Sequence, residues 1–386
     1  MFFSRMPYIA LPGHLRRFCA SVSSFSGRGL NLLPAAVFSA IFLAGSACTP
    51  EKANSLDFLA LFLFADNSRI AHKFDAAMLP DLKPYVDSVF ITKNGNRIYF
   101  LHSIYAPLVM NGTSLPGACP TGRQLPDHIT VPGLEWNSDL YYIEWSGSNW
   151  SSPVNLGSQI NTFGNECCIW LNDAETETIF YRGTDLDGDG VSGDLGLPPS
   201  GNYQAFRTDK NAAWGPATAL SGTYGVTNQA NSNYRHDIHK VPSNNYYLWE
   251  RDAGGNKRLL FGVWNGLSYD APTLIPGSVH EDTQIWAADD ERTIVYNHRT
   301  GVTTDLYQMK RASSADPWSA PAQITTVGFE DPIGGRVWGE PAFDSSLSYM
   351  LYVRFNTADT SCWSADLMYA PGNLTDGFGP PITLTR

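Results

Sequence analysis

Asp87, Glu166, Asp237, Asp282 and Glu340 recur along the chain, each ten to thirteen residues before a short apolar triplet. Carboxylates delivered to one place by repeated elements have two chemistries open to them. Packed closely, they raise one another's pKa or recruit cations. Set roughly 6.5–9.5 Å apart, a carboxylic acid and a carboxylate hydrolyse a glycosidic bond with inversion. For that second chemistry the catalytic candidates are Asp87, Asp237 and Glu340. The plainer role is structural: each carboxylate accepts backbone N–H bonds from a neighbouring element and staples the repeats together.

A second acidic group, Asp185, Asp187, Asp189 and Asp194, lies in the run DLDGDGVSGD. Alternating carboxylates converge on one hard cation, and Gly190 permits the sharp turn that brings the later ligands round. The bidentate Glu of an EF-hand is missing, because Gly196 stands at its position. The expected cofactor is therefore a structural calcium ion in a shorter Asp-rich loop, with a solvated acidic turn as the alternative.

The positioning elements are visible as repeats. Five apolar triplets, Ile98–Phe100, Ile179–Tyr181, Tyr247–Trp249, Ile294–Tyr296 and Met350–Tyr352, are rich in strand formers. Strands opening Asp139-Leu140-Tyr141, Asp305-Leu306-Tyr307 and Asp366-Leu367-Met368 follow three of them. Each unit then closes on an aromatic shortly before Pro: Trp150, Trp214, Tyr269, Trp318 and Phe378. Residues 86–386 thus divide into five units of about 60 residues, each reading strand, turn, strand, loop, strand, turn, strand.

Four short antiparallel strands cannot bury both faces alone, whereas blades packed around an axis can, and closure leaves only short edges. The expected fold class is all-β, a five-bladed β-propeller of four-stranded antiparallel blades. The aromatics before Pro are expected to fill the wedges between blades. The five acids and the longest loops (104–138, 183–202, 355–365) are expected on one face, with the acids ringing the tunnel mouth. Residues 48–85 form an N-terminal linker or cover outside the repeats.

The stretch NWSSPVNLGSQINTFGNE (Asn149 to Glu166), followed by TIFYRG, resembles the PD40 or TolB-like (WD40-like) propeller repeats of bacterial periplasmic and outer-membrane proteins. The family's proline after the acid survives only at Glu340-Pro341; Ser88, Cys167, Ile238 and Thr283 replace it elsewhere. The resemblance implies fold and compartment rather than task. A five-bladed acidic propeller also resembles the glycoside hydrolases that cleave arabinan, xylan or fructan, although the short motifs around their catalytic acids are not recognisable here.

Residues 1–47 carry four arginines and no acid, then an apolar run, and read as an export signal. The ending Leu43-Ala44-Gly45-Ser46-Ala47-Cys48 resembles a lipoprotein cleavage box, making Cys48 the expected lipidation site, with ordinary cleavage after Ala47 as the alternative. Removing the leader takes the formal net charge from −11 to −15. So acidic a chain repels nucleic acid and anionic headgroups. Only 16% of residues are charged and 13% are aromatic, with 34 Gly and 25 Pro, a profile of short strands and tight turns that excludes helical bundles and coiled coils.

Export to an oxidising compartment invites disulfides. Ring closure makes the first and fifth units neighbours, so Cys119 and Cys362 are an expected bridge across the seam. That leaves Cys167 and Cys168 either as a vicinal disulfide or as two thiols. On a regular strand His236 and His239 point to opposite faces and do not form a ligand pair.

The function expected from the sequence is a binding or scaffolding module: an exported, lipid-anchored monomer of the bacterial periplasm or outer membrane, presenting an acidic, calcium-ordered loop face to a protein or glycan. Its membrane contact is through the lipid alone. The alternative is a glycoside hydrolase using carboxylates at the tunnel mouth, and a purely structural envelope lipoprotein is a third reading.

Overall fold

A computed structural model of the chain describes residues 73–83, 85–103, 124–129, 137–184, 193–220, 234–252, 254–266, 270–279, 281–300, 303–324, 336–356 and 364–385. They belong to the second of two compact units, Ser68–Arg386. Among them the structure is all-β; the only named helical elements are the 3-10 turns Ala76–Met78 and Asp194–Gly196. No helix of the described residues is long and apolar enough to cross a membrane.

The strands fall into five consecutive antiparallel groups. The first comprises β1 (Tyr85–Ile91), β2 (Arg97–Ser103), β3 (Asp139–Glu144) and β4 (Val154–Asn155); the second, β5 (Asn165–Leu171), β6 (Glu177–Gly183), β7 (Gly201–Phe206) and β8 (Thr218–Ala219). The third is β9 (Tyr234–Lys240), β10 (Tyr246–Arg251), β11 (Lys257–Gly262) and β12 (Thr273–Leu274); the fourth, β13 (Asp282–Ala287), β14 (Thr293–Thr300), β15 (Thr303–Lys310) and β16 (Ala322–Gln323). The fifth runs β17 (Arg336–Ala342), β18 (Tyr349–Asn356) and β19 (Ser364–Asn373), and both β20 (Gly377–Phe378) and β21 (Ile382–Thr383) pair with β19.

Five separate four-stranded sheets are expected from the repeats. The second and third groups are such sheets, but the first, fourth and fifth join into one sheet of thirteen strands. The joins are narrow: Thr304 on β15 pairs in parallel with Val337 on β17, and Ala365 on β19 with Tyr85 on β1. An isolated parallel bridge, Ser138 to Asn165, links the first group to the second in the same way. The third strand of one group thus grazes the first strand of the next, and at the chain ends this relation connects group five back to group one. The five first strands also contact one another cyclically, β1 with β5, β5 with β9, β9 with β13, β13 with β17, and β17 with β1.

Burial follows from this arrangement. Every residue of β2 is buried, so both faces of that second strand are covered, and a strand covered twice reads as an unbroken apolar run rather than an alternating one. The short fourth strands β8, β12 and β16 are exposed. The hydrophobic clusters straddle the joins between groups: Trp170 and Ile179 of group two pack with Ile238 and Leu248 of group three, and Val295 and Leu306 of group four with Phe343 and Tyr352 of group five. Trp150, Trp214 and Phe378 are buried.

Residues ahead of β1 join the core as well. Phe74 is fully buried, with ring centroids 4.8 Å from both Tyr349 and Tyr369 of group five and 6.0 Å from Trp150 of group one. The Trp150 indole N–H donates to the Lys73 carbonyl at 2.9 Å. Gly95, in the β1–β2 turn, has φ +69° and lies so close to group five that a Cβ there would stand 2.8 Å from Asp344 Oδ2. Only glycine meets both the torsion and the approach.

Two further polar clamps tie the groups. Glu175, in the β5–β6 turn, accepts from Tyr99 Oη of group one at 2.6 Å and pairs with Arg97 at 3.1 Å and Arg207 at 3.6 Å. Glu291, in the β13–β14 turn, repeats the motif with Tyr247 Oη at 2.9 Å and Arg311 at 3.6 Å. Arg207 and Arg311 then lie over Trp214 and Trp318, 4.1 and 4.2 Å from the ring centroids.

Candidate functional site

The ladder between first and second strands slips at the same place in every group: after Asp87, Cys167, Thr283 and Gly339 on β1, β5, β13 and β17, and after His236 on β9. Each slip is a bulge, and each holds one residue in the left-handed region: Ser88 (φ 54°), Cys168 (61°), Asp237 (51°), Gln284 (51°) and Glu340 (55°). None is glycine, and such a conformation costs about 1–3 kcal/mol per residue and persists only where surroundings impose it. The bulges re-aim these five side chains toward a common point.

A cavity of about 60 Å³ marks that point, lined by three consecutive residues from each of the five first strands. The bulge residues form a polar ring. Two positions on, Phe90, Trp170, His239, Trp286 and Ala342 form a mostly apolar one. The volume admits a few waters or a small ion, well under the roughly 300–1,000 Å³ of ordinary small-molecule sites. A larger surface hollow of about 370 Å³, lined by residues such as Phe261, Pro276 and Trp318, lies elsewhere and contains no residue of the polar ring.

The polar ring is internally bonded. Gln284 Nε2 donates to Glu340 Oε1 at 2.8 Å, Ser88 Oγ to the same oxygen at 3.4 Å, and Ser88 Oγ faces Cys168 Sγ at 3.7 Å. Asp87 sits beside the ring, its Oδ1 accepting from Ser88 N at 2.8 Å and its Oδ2 from Tyr85 Oη at 3.0 Å. Glu340 Oε2 is buried and accepts no hydrogen bond, and the Asp87 carboxyl acts on Glu340 electrostatically. Burial and then the Asp87 charge push Glu340 well above the usual carboxylate range, and burial also raises Asp87 against its hydrogen bonds.

On the other side of the ring, Cys167 and Cys168 are joined as a disulfide. His236 Nε2 stands 3.6 Å from Cys167 Sγ and 3.8 Å from Cys168 Sγ. Its Nδ1 lies 2.9 Å from Asp237 Oδ1, and the Trp249 indole N–H donates to Asp237 Oδ2.

Of the five acids expected at the tunnel mouth, Asp237 and Glu340 are bulge residues and Asp87 is adjacent to one. Glu166 and Asp282 precede their bulge residues by two positions and face the strand joins. Glu166 is fully buried, accepts from Thr162 Oγ1 at 2.6 Å and from Arg182 Nε at 2.9 Å, and is raised to about 7 because burial outweighs the Arg182 charge. Asp282, also buried, accepts from Val279 N at 2.7 Å and lies 2.7 Å from His298 Nδ1. The His239 ring lies 6.1 Å from that of Trp286, and burial lowers its pKa to about 3.

Asp194 opens a 3-10 turn, and its N–H donates to the Thr184 carbonyl at 3.1 Å. Asp185, Asp187, Asp189, Cys48, Cys119 and Cys362 lie outside the described residues. Ser88, Gln284 and the meeting of His236 with the cysteine pair have no counterpart in the sequence reading. The clamp residues Glu175 and Glu291 were within its reach, since each stands three or four residues before a triplet.

No protein-family model matches the chain, and no curated protein is similar to it. Solved structures similar in part include TolB from Acinetobacter baumannii (10% identity, TM-score 0.37, 78% of this chain and 58% of that one). A glycoside hydrolase (13%, 0.46, 81% and 65%) and an endo-arabinase from Bacteroides thetaiotaomicron (12%, 0.41, 78% and 99%) are others. The chain spans less than two thirds of the TolB and glycoside hydrolase chains. At these TM-scores the likenesses assign no activity.

Proposed function

We propose that residues 86–386 form a five-bladed β-propeller that is exported to a bacterial envelope and works as a binding or scaffolding module rather than a hydrolase. The cyclic contacts of the five first strands support the closed ring. The Cys167–Cys168 disulfide supports an oxidising compartment. Anchoring through a lipid on Cys48, a calcium-ordered acidic loop and a protein or glycan partner complete the reading, and these rest on the sequence.

The observation that carries the choice against hydrolysis is the small central cavity. Among the described residues the five first strands leave about 60 Å³, well under the roughly 300–1,000 Å³ of ordinary small-molecule sites, and Glu340 Oε1 within it is already held by Gln284 and Ser88. The raised Glu340 favours the hydrolase reading, because a general acid needs a proton at neutral pH.

The deciding experiment assays the mature protein, with calcium, on arabinan, xylan, fructan and a broad glycan panel while measuring glycan binding on an array. Binding without product release is expected. Sugar release that disappears in an Asp87→Ala, Asp237→Ala double variant overturns the proposal. Mass spectrometry of the mature N-terminus tests the lipid on Cys48.

A further inference from the structure

We propose that the pair Cys167 and Cys168, once reduced, forms with His236 a binding site for one thiophilic d10 cation, Zn(II) or Cu(I), beside the central cavity, and that the disulfide is the closed state of this site. The inference goes beyond the binding role above and does not depend on it.

Three ligand atoms converge: two sulfurs and one imidazole nitrogen, all within 4.8 Å of one another. With bonds of about 2.3 Å to sulfur and about 2.0 Å to nitrogen, a sulfur and a nitrogen ligand 110–120° apart stand about 3.5–3.7 Å from each other. The measured separations from His236 Nε2 are 3.6 and 3.8 Å. Only the sulfur–sulfur bond has to open.

The support behind the histidine has the form that metal sites use. A ligating imidazole commonly gives its other N–H to a carboxylate, which sets the tautomer and aims the free nitrogen at the metal. Here Asp237 Oδ1 lies 2.9 Å from His236 Nδ1, and Trp249 holds the second Asp237 oxygen. The imidazole packs against Tyr181 and Trp249, with ring centroids 4.2 and 5.3 Å away, which restricts its rotation before any ion arrives. Cys168 lines the cavity, which gives a small ion a path to the sulfurs.

The chemistry balances. A dithiol reductant supplies two electrons and two protons, opening the Cys167–Cys168 bond to two thiols while itself closing to a disulfide. Binding the cation then releases both thiol protons, since the thiolates are the ligands. Two sulfurs and an imidazole suit a soft cation and give nothing that prefers calcium.

The test uses the full chain. Protein reduced with dithiothreitol, then desalted without oxygen, is titrated with Zn(II), with Cu(I), and with Co(II) as a spectroscopic stand-in; untreated protein and calcium are the controls. One equivalent is expected to bind the reduced form at least 100-fold more tightly than the oxidised form, with sulfur-to-Co(II) charge-transfer absorption in the near ultraviolet. His236→Ala and the double variant C167S/C168S should abolish that band, and Asp237→Asn should weaken binding about 10–100-fold. Equal affinity of the reduced and oxidised wild type overturns the proposal without recourse to any variant. So does full-strength binding by a folded C167S/C168S protein, which would assign the ion to other cysteines.

Discussion

Tyr99 on β2 donates a 2.6 Å hydrogen bond to Glu175, which lies in the turn of the next group, and the buried Arg97 and Arg207 converge on the same carboxylate. Glu175 therefore compensates the buried Arg207 and shares the buried Arg97 with Glu144, 3.0 Å from Arg97 Nη2.

Among the described residues, removing Glu175 leaves Arg207 without a carboxylate and Arg97 with Glu144 alone. Glu175→Ala is expected to cost about 3–5 kcal/mol, the loss typical when one partner of a buried ion pair is deleted. Tyr99→Phe, which removes one neutral donor from the same carboxylate, is expected to cost about 1–3 kcal/mol. Urea unfolding of both variants checks the order; a Tyr99→Phe loss equal to that of Glu175→Ala would show that the arginines do not depend on the carboxylate.

Phe74 tests the junction between the first and last groups. It is fully buried against Trp150, Tyr349 and Tyr369. Phe74→Ala is expected to destabilise the protein by about 3–5 kcal/mol. Hydrogen exchange should quicken first in β1 and β19, the strands that meet at this junction.

Acid–base behaviour has a definite sign. Burial raises Asp139 to about 7, against hydrogen bonds from Ile129 N and Asn155 that favour the charged form. The unfolded value is about 3.9, so the folded chain holds this proton more tightly. Its contribution is present below about pH 4 and is lost as pH rises through the folded pKa. Glu340, also raised, acts in the same direction. Between pH 5 and pH 9 these carboxyls lower the melting temperature as pH rises, while the buried His102 and His239, held near 4 and 3, oppose them up to about pH 6.5. Asp139→Asn and Glu340→Gln, whose amides need not titrate, should each flatten that slope, with Glu340→Gln more stable than wild type at pH 9. A slope unchanged in both variants would refute these roles.

The proposed calcium ion is assigned to the acidic run that includes Asp185, Asp187, Asp189 and Asp194. Calorimetry is expected to show one calcium bound at millimolar affinity or better, with EDTA lowering the melting temperature and Asp187→Asn removing both effects. No heat at millimolar calcium would leave a solvated acidic turn.

The five-fold period, the apolar triplets and the aromatics before Pro were legible because each reports a local demand. The middle of a strand covered on both faces is apolar, as Ile98–Leu101 within β2 is, while its ends carry the buried Arg97, His102 and Ser103; of the aromatics before Pro, Trp150, Trp214 and Phe378 are buried and Tyr269 lies outside the described residues. The clustering of acids before the triplets was legible for the same reason, but their destinations were not. Glu166 and Glu340 look equivalent by spacing, yet Glu166 lies two residues ahead of its bulge beside Arg182, whereas Glu340 is the bulge residue and faces Asp87.

By itself, then, the sequence determined that this chain builds β units of one repeated kind, because periodicity and burial act over a few residues. Tertiary structure decided which side chains meet at the centre. A register slip of one residue between paired strands turns a side chain from one face to the other, and that slip depends on the partner strand rather than on the residues that slip. Ser88, Cys168, Asp237, Gln284 and Glu340 share a ring for this reason. The approach of His236 to Cys167 and Cys168 arises the same way, from the packing of β5 against β9.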